Sequence, residues 1–194
     1  MIRVERLTGA ALAAALPDVA RLRIAVFRAY PYLYDGDVAY EERYLQVYRD
    51  SADAILVGAY DGARLIGAAT GAPMEDHADD FGAAFAESGL ALDRIFYCAE
   101  SVLLPEYRGQ GIGHRFFDLR EAQARELGRD YAAFCSVIRP KDHPARPEGY
   151  QPLDAFWRKR GYAPLPGAVA QFNWREIGAA QESAHDLQVW MRAL

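Results

Sequence analysis

LLPEYRGQGIGHRFF, residues 103–117, joins an apolar run to a helical pattern through three glycines at alternate positions, Gly109, Gly111 and Gly113. The helix that follows has an apolar face made by Ile112, Phe116, Leu119 and Leu127. The first amides of a helix have no internal acceptor and lie at the positive end of its dipole, and glycine leaves them open to close approach. The stretch therefore predicts that an anion such as a phosphate binds where this helix begins.

Two common phosphate-binding motifs do not fit these glycines. The dinucleotide motif G-x-G-x-x-G requires a glycine at position 114 after Gly109 and Gly111, and that position is His114. The P-loop requires Gly-Lys-Ser/Thr, which does not follow. Nucleotide binding through the same glycines stays an alternative, and it predicts stabilisation by NAD or ATP.

Length and charge narrow the class of protein. The chain has 194 residues, which suits one domain covering residues 1–194. Its formal net charge of -5 argues against a nucleic-acid partner, because such proteins usually carry a basic face. Its four histidines are scattered without paired ligand spacing, so no metal site is predicted.

The cellular setting is inferred from the cysteines and the N-terminus. Cys98 and Cys135 lie in apolar runs, and we interpret them as buried thiols in a reducing compartment. The first twenty residues superficially resemble a secretory signal, but Glu5 interrupts the basic region and the apolar part is mostly alanine. No apolar run approaches the roughly 20 residues that span a bilayer. We therefore expect a cytoplasmic protein with no membrane partner.

Hydrophobic periodicity and turn signals predict alternating strands and helices along one continuous chain. The predicted elements are a strand over 3–7, helices over 10–30 and 39–50, a hairpin over 54–70 that turns at Asp61-Gly62, a long strand over 94–104, a helix ending near Leu127 with Gly128 as its stop, a strand over 131–139, a short helix over 153–161, and strands over 169–177 and 187–194.

The segment RGQGIG, residues 108–113, resembles the Arg/Gln-x-x-Gly-x-Gly/Ala signature of the GNAT superfamily of acyl-CoA-dependent N-acyltransferases. Its lead-in from a strand through a proline also matches that family. Downstream, FWRKRGY at 156–162 is similar to the family's Phe-Tyr-x-x-x-Gly-Phe element, and the chain closes with an apolar strand ending in VWMRAL. Motif order agrees over residues 94–194, whereas the first half is compatible but carries no specific signature.

The resemblance implies an α+β fold, with a central mixed sheet whose parallel fourth and fifth strands splay apart and with helices on both faces. Acetyl-CoA would lie in that gap as the acyl donor. The amides expected to meet its pyrophosphate are those of Gly109, Gln110, Gly111, Ile112, Gly113 and His114. Backbone groups of Ser101, Val102 and Leu103 would pair with the pantetheine arm. Arg108 either adds a positive charge to the phosphate-binding site or is a solvated arginine. His114 is expected to bind the pyrophosphate through its backbone amide rather than its side chain.

Glu100 is the candidate general base, because several acyltransferases of this superfamily carry an acid on the strand that precedes the glycines. An alkyl amine with a pKa of about 10.4 is almost fully protonated at neutral pH, so a base would assist its attack. A backbone amide, plausibly that of Val102, would stabilise the oxyanion. The alternative is that Glu100 reaches solvent or an arginine partner and has only a structural role.

The sequence departs from the family at the residue that often protonates the leaving thiolate. Trp157 stands where the family often has a tyrosine, and an indole is not a useful proton donor. Tyr150 is the substitute candidate, and otherwise the thiolate leaves unassisted, since a thiol has a pKa of about 8.5. We interpret Trp157 as a packing residue.

The acceptor side is predicted from AYPYLYDGDVAYEERYL, residues 29–45, where five tyrosines alternate with acidic residues. Aromatic faces and carboxylates could hold a cationic amine, although a solvated helix face with packed tyrosines is the simpler interpretation. The predicted function is therefore transfer of an acetyl group from acetyl-CoA to a primary amine, on a small molecule or a peptide. The rival is a non-catalytic CoA-binding regulatory or partner-binding module. The sequence leaves open whether the chain forms a homodimer.

Overall fold

Eight strands form one mixed sheet in the computed structural model, which describes residues 1–194. The strands are β1 Ile2–Leu7, β2 Ile55–Asp61, β3 Arg64–Pro73, β4 Ile95–Tyr97, β5 Ser101–Leu103, β6 Tyr131–Val137, β7 Ala163–Trp174 and β8 Ser183–Ala193. The helices are α1 Gly9–Phe27, α2 Val38–Tyr44, α3 Gln46–Asp50, α4 Ala78–Phe81, α5 Ile112–Glu126 and α6 Asp154–Lys159.

The strand order is β1-β2-β3-β4-β6-β8-β7, and β5 pairs with β3 outside this path. Every pairing is antiparallel except β4 with β6, which run parallel. The α+β class and the mixed sheet with one parallel pair are as the sequence predicted. None of the helices has the length and apolar character needed to cross a membrane.

The strand predicted over 94–104 is interrupted. β4 pairs with β6, and the last bond of that pairing runs from the Cys98 N–H to the Ala133 carbonyl at 2.7 Å. The chain then stays with β3 alone, through bonds between Ala99 or Glu100 and Thr70. From this point β5 has no bonds to β6, and the second half of β6 pairs only with β8. The sheet therefore opens into a gap between β5 and β6.

Helices cover both faces of the sheet. Along β2, alternate side chains point to opposite faces, so Val57 packs with the cluster under α5 and Leu56 packs with the cluster under α1. Phe116 of α5 and Leu12 of α1 are buried in these two clusters. Because both faces are covered, the strand is an unbroken apolar run rather than an alternating one.

The predicted helix ends follow glycine signals. Gly128 has a φ of +69°, and the next amide, that of Arg129, bonds back to the Ala124 carbonyl at 2.9 Å, which closes α5. Gly161 has a φ of +85° after α6. Other predicted bounds shift: α1 stops at Phe27, the helix over 39–50 divides into α2 and α3, and β7 begins six residues earlier, before an irregularity between Pro164 and Val169.

Candidate active site

The glycine loop before α5 has the open backbone that the sequence predicted. Gly109 and Gly111 have φ values of +77° and +78°, a region that residues with a Cβ rarely adopt, and no atom lies within 4 Å of the place where a Cβ would stand. At Gly113 a Cβ would only make ordinary contact with Phe156, at 3.5 Å. Conformation therefore requires glycine at the first two positions, and the space above both is free.

Five consecutive amides of this loop have no acceptor in the protein. The N–H groups of residues 109–113 donate to no backbone carbonyl and to no side chain. The His114 amide differs from the prediction, because it donates to the Gly111 carbonyl at 3.1 Å within the first helical turn. Five free donors at the positive end of a 15-residue helix make a cradle for an anion.

The side chains around the cradle are basic or neutral. Arg108 is exposed and forms no ion pair, so its charge is available to an anion. The ring of His114 packs on Phe156 with centroids 4.8 Å apart, and its Nδ1 lies 3.2 Å from Nη1 of Arg160. This contact places the His114 side chain against α6 and away from the free amides.

β5 leads from the gap into the cradle, and its backbone alternates between two neighbours. Glu100 and Leu104 bond to β3, through Thr70 N–H at 3.1 Å and the Ile66 carbonyl at 3.0 Å. Because antiparallel strands alternate their bonding direction, Val102 also faces β3, whereas Ser101 and Leu103 direct their N–H and C=O groups into the gap. The geometry thus offers two residues to a ligand in the gap, and it turns the Val102 amide away from it.

A buried arginine bonds to the backbone where the strand is interrupted between β4 and β5. Arg120 of α5 is 1% exposed, and its Nη1 donates to the carbonyls of Thr70 and Glu100 at 3.0 and 3.2 Å. Its Nη2 donates to Ser101 Oγ at 2.8 Å. The guanidinium takes the place of ladder bonds that the interrupted strand lacks.

A cavity of about 80 Å³ lies at the other end of β5, beside the start of the gap. Glu100 and Ala99 line it from the strand break, and Cys135 lines it from β6. Nine aromatic rings make most of the remaining wall: Phe27, Tyr32, Tyr34, Tyr40, Tyr44, Phe81, Tyr97, Phe172 and Trp174. β5 is three residues long, so a ligand lying along it from the cradle reaches the cavity within roughly 10 Å of strand.

Glu100 belongs to a buried charge network at this cavity. Arg23 of α1 bonds to Glu41 Oε2 through Nε at 2.5 Å and to Glu100 Oε2 through Nη1 at 2.9 Å. Tyr34 donates to Glu41 Oε1 at 2.9 Å, and Tyr44 donates to Glu100 Oε2 at 3.3 Å. Glu100 Oε1 is buried and has no partner. The arginine partner weighed for Glu100 is present, and one carboxylate oxygen is still free.

Burial shifts the titration of the groups in this wall. It lowers the pKa of Arg23, but the surrounding Glu100, Tyr44 and Glu41 more than offset this effect, so the guanidinium stays charged. It raises the pKa of Tyr32 and Tyr40 to about 12, so both phenols are neutral at physiological pH. It also raises the pKa of Cys135 to about 12, which keeps that thiol protonated.

Tyr150 and Trp157 lie outside the cavity wall. Tyr150 stands edge-on to Tyr30 with ring centroids 4.7 Å apart, burial raises its pKa, and its hydroxyl has no hydrogen bond. Trp157 packs against Phe134 and Trp190 at 5.0 and 5.1 Å, so it is a packing residue, as the sequence indicated.

The acceptor-side tyrosines are only partly where the sequence placed them. Tyr32, Tyr34, Tyr40 and Tyr44 line the cavity, whereas Tyr30 lies outside it. Glu41 is fully buried in the charge network. The segment therefore has both parts: these four tyrosines and Glu41 form an interior wall, whereas Glu42 and Arg43 lie on the exposed face of α2.

Sequence reasoning missed Arg23 and Arg120. Both lie on helix faces that are otherwise apolar, beside Leu22 in α1 and four residues after Phe116 in α5. An arginine inside an apolar stripe is the signal that could have found them, because a charge is rarely buried without a partner.

Comparison with known families gives a match to the profile of the Acetyltransferase (GNAT) family over residues 19–162. No curated protein sequence matches the chain at a significant level. Among solved structures, the chain resembles ribosomal-protein-alanine N-acetyltransferase from Brucella melitensis, with a TM-score of 0.62 and 14% identity over 99% of each chain.

Two further structures share this architecture. Drosophila melanogaster polyamine N-acetyltransferase aligns over 100% of both chains with a TM-score of 0.60 and 12% identity. PaiA N-acetyltransferase from Thermoplasma acidophilum, in complex with coenzyme A, aligns over 100% of this chain and 99% of that one, with a TM-score of 0.58 and 12% identity. At these identities the likeness establishes the fold.

Proposed function

Because the chain belongs to the GNAT family of acetyltransferases, enzymes that use acetyl-CoA as acyl donor, we propose that it acetylates a primary amine by direct attack of the amine on the thioester. One observation carries this proposal. The anion cradle and the cavity of Glu100 lie at the two ends of β5, and the gap between β5 and β6 connects them.

The residues present fit acetyl-CoA. The free amides of Gly109–Gly113 would hold its pyrophosphate, and Arg108 would add a positive charge. Ser101 and Leu103 would pair their backbone groups with the amides of the pantetheine arm. The donor supplies an activated acyl group, and the chain orients it so that the thioester end points toward the cavity.

Glu100 is the residue we assign to proton removal. An alkyl amine with a pKa of about 10.4 is neutral in only about one molecule per thousand at pH 7.4, which corresponds to roughly 4 kcal/mol. The buried Oε1 of Glu100 is the one carboxylate oxygen of this network without a donor, so its lone pairs are available to a proton from the amine, directly or through a water molecule. The N–C bond forms, the C–S bond breaks, and the sulfur leaves as thiolate.

The departing sulfur either receives a proton from the protein or leaves as an unprotonated thiolate. Tyr150 could protonate it, since its hydroxyl is free of other bonds. Alternatively the thiolate leaves unassisted, because a thiol with a pKa of about 8.5 is a good leaving group near neutral pH. The position of Tyr150 outside the cavity wall favours unassisted departure.

The names of the similar enzymes do not choose the acceptor. The Brucella enzyme is named for a protein alanine and the Drosophila enzyme for a polyamine. Release of free thiol from acetyl-CoA, measured with a panel of amines, tests the proposed function. Turnover supports the enzyme, whereas acetyl-CoA binding without turnover on any amine supports the non-catalytic module, which the packed Trp157 would explain.

A further inference from the structure

Two buried carboxylates meet one arginine beside the cavity, and only Glu100 of the two lines it. Glu41 and Glu100 share a single guanidinium, that of Arg23, and the side chains of all three are at most 7% exposed. Arg23 is the only basic residue in the cavity wall. Arg120 brings a second buried guanidinium beside Glu100, since its Nη1 donates to the Glu100 carbonyl at 3.2 Å, so the charges balance and the Glu100 carboxylate lacks only a hydrogen-bond donor.

The unpartnered oxygen of Glu100 indicates where a ligand donor would bind. Glu100 lines the cavity with a side chain that is 2% exposed, and its buried Oε1 receives no hydrogen bond. Both oxygens of Glu41, by contrast, already accept bonds, from Arg23 and Tyr34. A primary ammonium group supplies the missing N–H donor, and its positive charge strengthens a hydrogen bond to a carboxylate.

The cavity wall around Glu100 suits the apolar part of a ligand. Phe81 and Phe172 stack with centroids 5.5 Å apart, and Tyr44 meets Phe172 edge-on at 5.9 Å. Aromatic faces attract both cations and other rings, which pack offset or edge-to-face. The cavity thus combines one carboxylate, that of Glu100, with a wall of aromatic rings.

A second charged group on the ligand finds no partner in the cavity wall itself. Arg23 already bonds to two carboxylates, so it offers no free charge to an α-carboxylate. In the outer hollow beyond Tyr34, Asp35 pairs with Arg28 and Arg175, and Asp37 caps α2 by accepting from the Tyr40 amide at 2.9 Å. Glu182 also lines this hollow and forms no ion pair, so a second ammonium would find a carboxylate only by reaching out of the cavity, beyond Tyr34.

We propose, on the basis of the proposed function, that the acceptor is a small primary monoamine with an aromatic body, bound with its nitrogen at Glu100 Oε1 and its ring among Phe81, Phe172 and Tyr44. Acylation converts the ammonium into a neutral amide: the nitrogen gives one proton to Glu100 before it attacks and a second to solvent after the N–C bond forms, while the C–S bond breaks and the sulfur leaves as thiolate. The product no longer carries the charge that Glu100 holds, so the same anchor that binds the amine favours release of the amide.

The test compares amines that differ in one feature at a time, with the full chain and saturating acetyl-CoA. 2-Phenylethylamine is set against n-butylamine, which lacks the ring, against 1,4-diaminobutane, which adds a second cation, and against phenylalanine, which adds a carboxylate. We expect kcat/KM for 2-phenylethylamine to exceed that for each of the other three at least tenfold.

Equal or higher kcat/KM with the diamine, the amino acid or butylamine overturns the assignment while leaving acetyl transfer intact. If the ring preference follows the acyl chain instead, so that phenylacetyl-CoA surpasses acetyl-CoA with butylamine, the chamber belongs to the donor and the assignment is also wrong. Absence of turnover with every amine, despite acetyl-CoA binding, removes the proposed function itself and this inference with it.

A matched pair of variants locates the preference in the protein. Phe172→Leu keeps an apolar wall but removes the ring, and it should lower the preference for 2-phenylethylamine over butylamine at least fivefold. Tyr131→Leu removes a half-buried ring that packs beside Arg94, outside the cavity, and should leave the preference within twofold of the unmodified chain. An unchanged preference in a folded Phe172→Leu protein contradicts the assignment.

Discussion

Arg23 and Glu100 form an ion pair of 2.9 Å that ties helix α1 to the break in the sheet, and their side chains are only 7% and 2% exposed. Removing one partner of such a pair leaves a buried charge uncompensated, which typically costs about 3–5 kcal/mol. The pair is shared with Glu41, so the two carboxylates can be separated experimentally. One is free on its second oxygen, and the other is fully bonded.

Glu100→Gln keeps the shape of the side chain and removes the proposed base. We expect the maximal rate of acyl transfer to fall about 10²- to 10⁴-fold, with acetyl-CoA affinity nearly unchanged. Steady-state kinetics and calorimetric binding measure the two quantities. Glu41→Gln is the matched control, because it removes a carboxylate from the same arginine without touching the free oxygen, and its rate should fall less than tenfold. A loss under twofold in Glu100→Gln at saturating substrate would return Glu100 to a structural role.

Gly111→Glu places bulk and negative charge above the free amides. We expect acetyl-CoA to raise the melting temperature of the unmodified chain and to have no effect on this variant. Gly128→Glu is the control, since Gly128 also has a positive φ, of +69°, with nothing within 4 Å of its would-be Cβ, but it lies at the opposite end of α5. Both variants should lose stability through backbone strain, by about 1–2 kcal/mol, yet only Gly111→Glu should lose the ligand shift. A preserved shift in folded Gly111→Glu protein would place the donor site elsewhere.

Much of this architecture could be predicted because its signals are local. The glycines that open α5 and the glycine that closes it fix both ends of the helix by backbone conformation alone. The resemblance implied that the sheet opens, but residues 94–104 read as one apolar strand and did not show the interruption after Tyr97, where Arg120 bonds to the backbone from another element. The charge network at Glu100 could not be predicted from the sequence either, because its partner Arg23 is 77 positions away.

Tyr150→Phe tests whether the departing thiolate receives a proton from the protein. Because Tyr150 lies outside the cavity wall, we expect the maximal rate to change less than twofold and acetyl-CoA affinity to stay the same. A rate loss of tenfold or more, with a CoA-bound structure placing the hydroxyl within hydrogen-bond reach of sulfur, would assign the acid to Tyr150. Trp157→Tyr is the complementary variant, since a phenol there could raise the rate despite weaker packing against Trp190.

His77 should make the folded state sensitive to acid. It is 2% exposed among the rings of Tyr48, Phe81 and Tyr97, and burial lowers its pKa to about 4. Because the unfolded chain binds this proton more tightly, with a pKa of about 6.5, the stability present above pH 6.5 is lost as the pH falls toward 4, by up to about 3 kcal/mol.

His77→Phe isolates this contribution from that of the carboxylates. His77 Nε2 has no partner, so the variant forfeits no bond at that atom, and phenylalanine suits the aromatic surroundings. Urea unfolding at a series of pH values should show that the variant loses about 3 kcal/mol less than the unmodified chain between pH 7 and pH 4. Parallel pH profiles for the two proteins would show that the histidine does not titrate in this way.

The gap between β5 and β6 also means that this protein carries a strand edge in the interior of its sheet. Such edges template the addition of further strands and are a common route to self-association. Here β5 offers only three residues before the chain turns through Pro105–Tyr107, so an invading strand would gain few bonds before it had to leave. A short, amide-bearing molecule meets no such limit, so the shortness of this edge favours a ligand over an added strand.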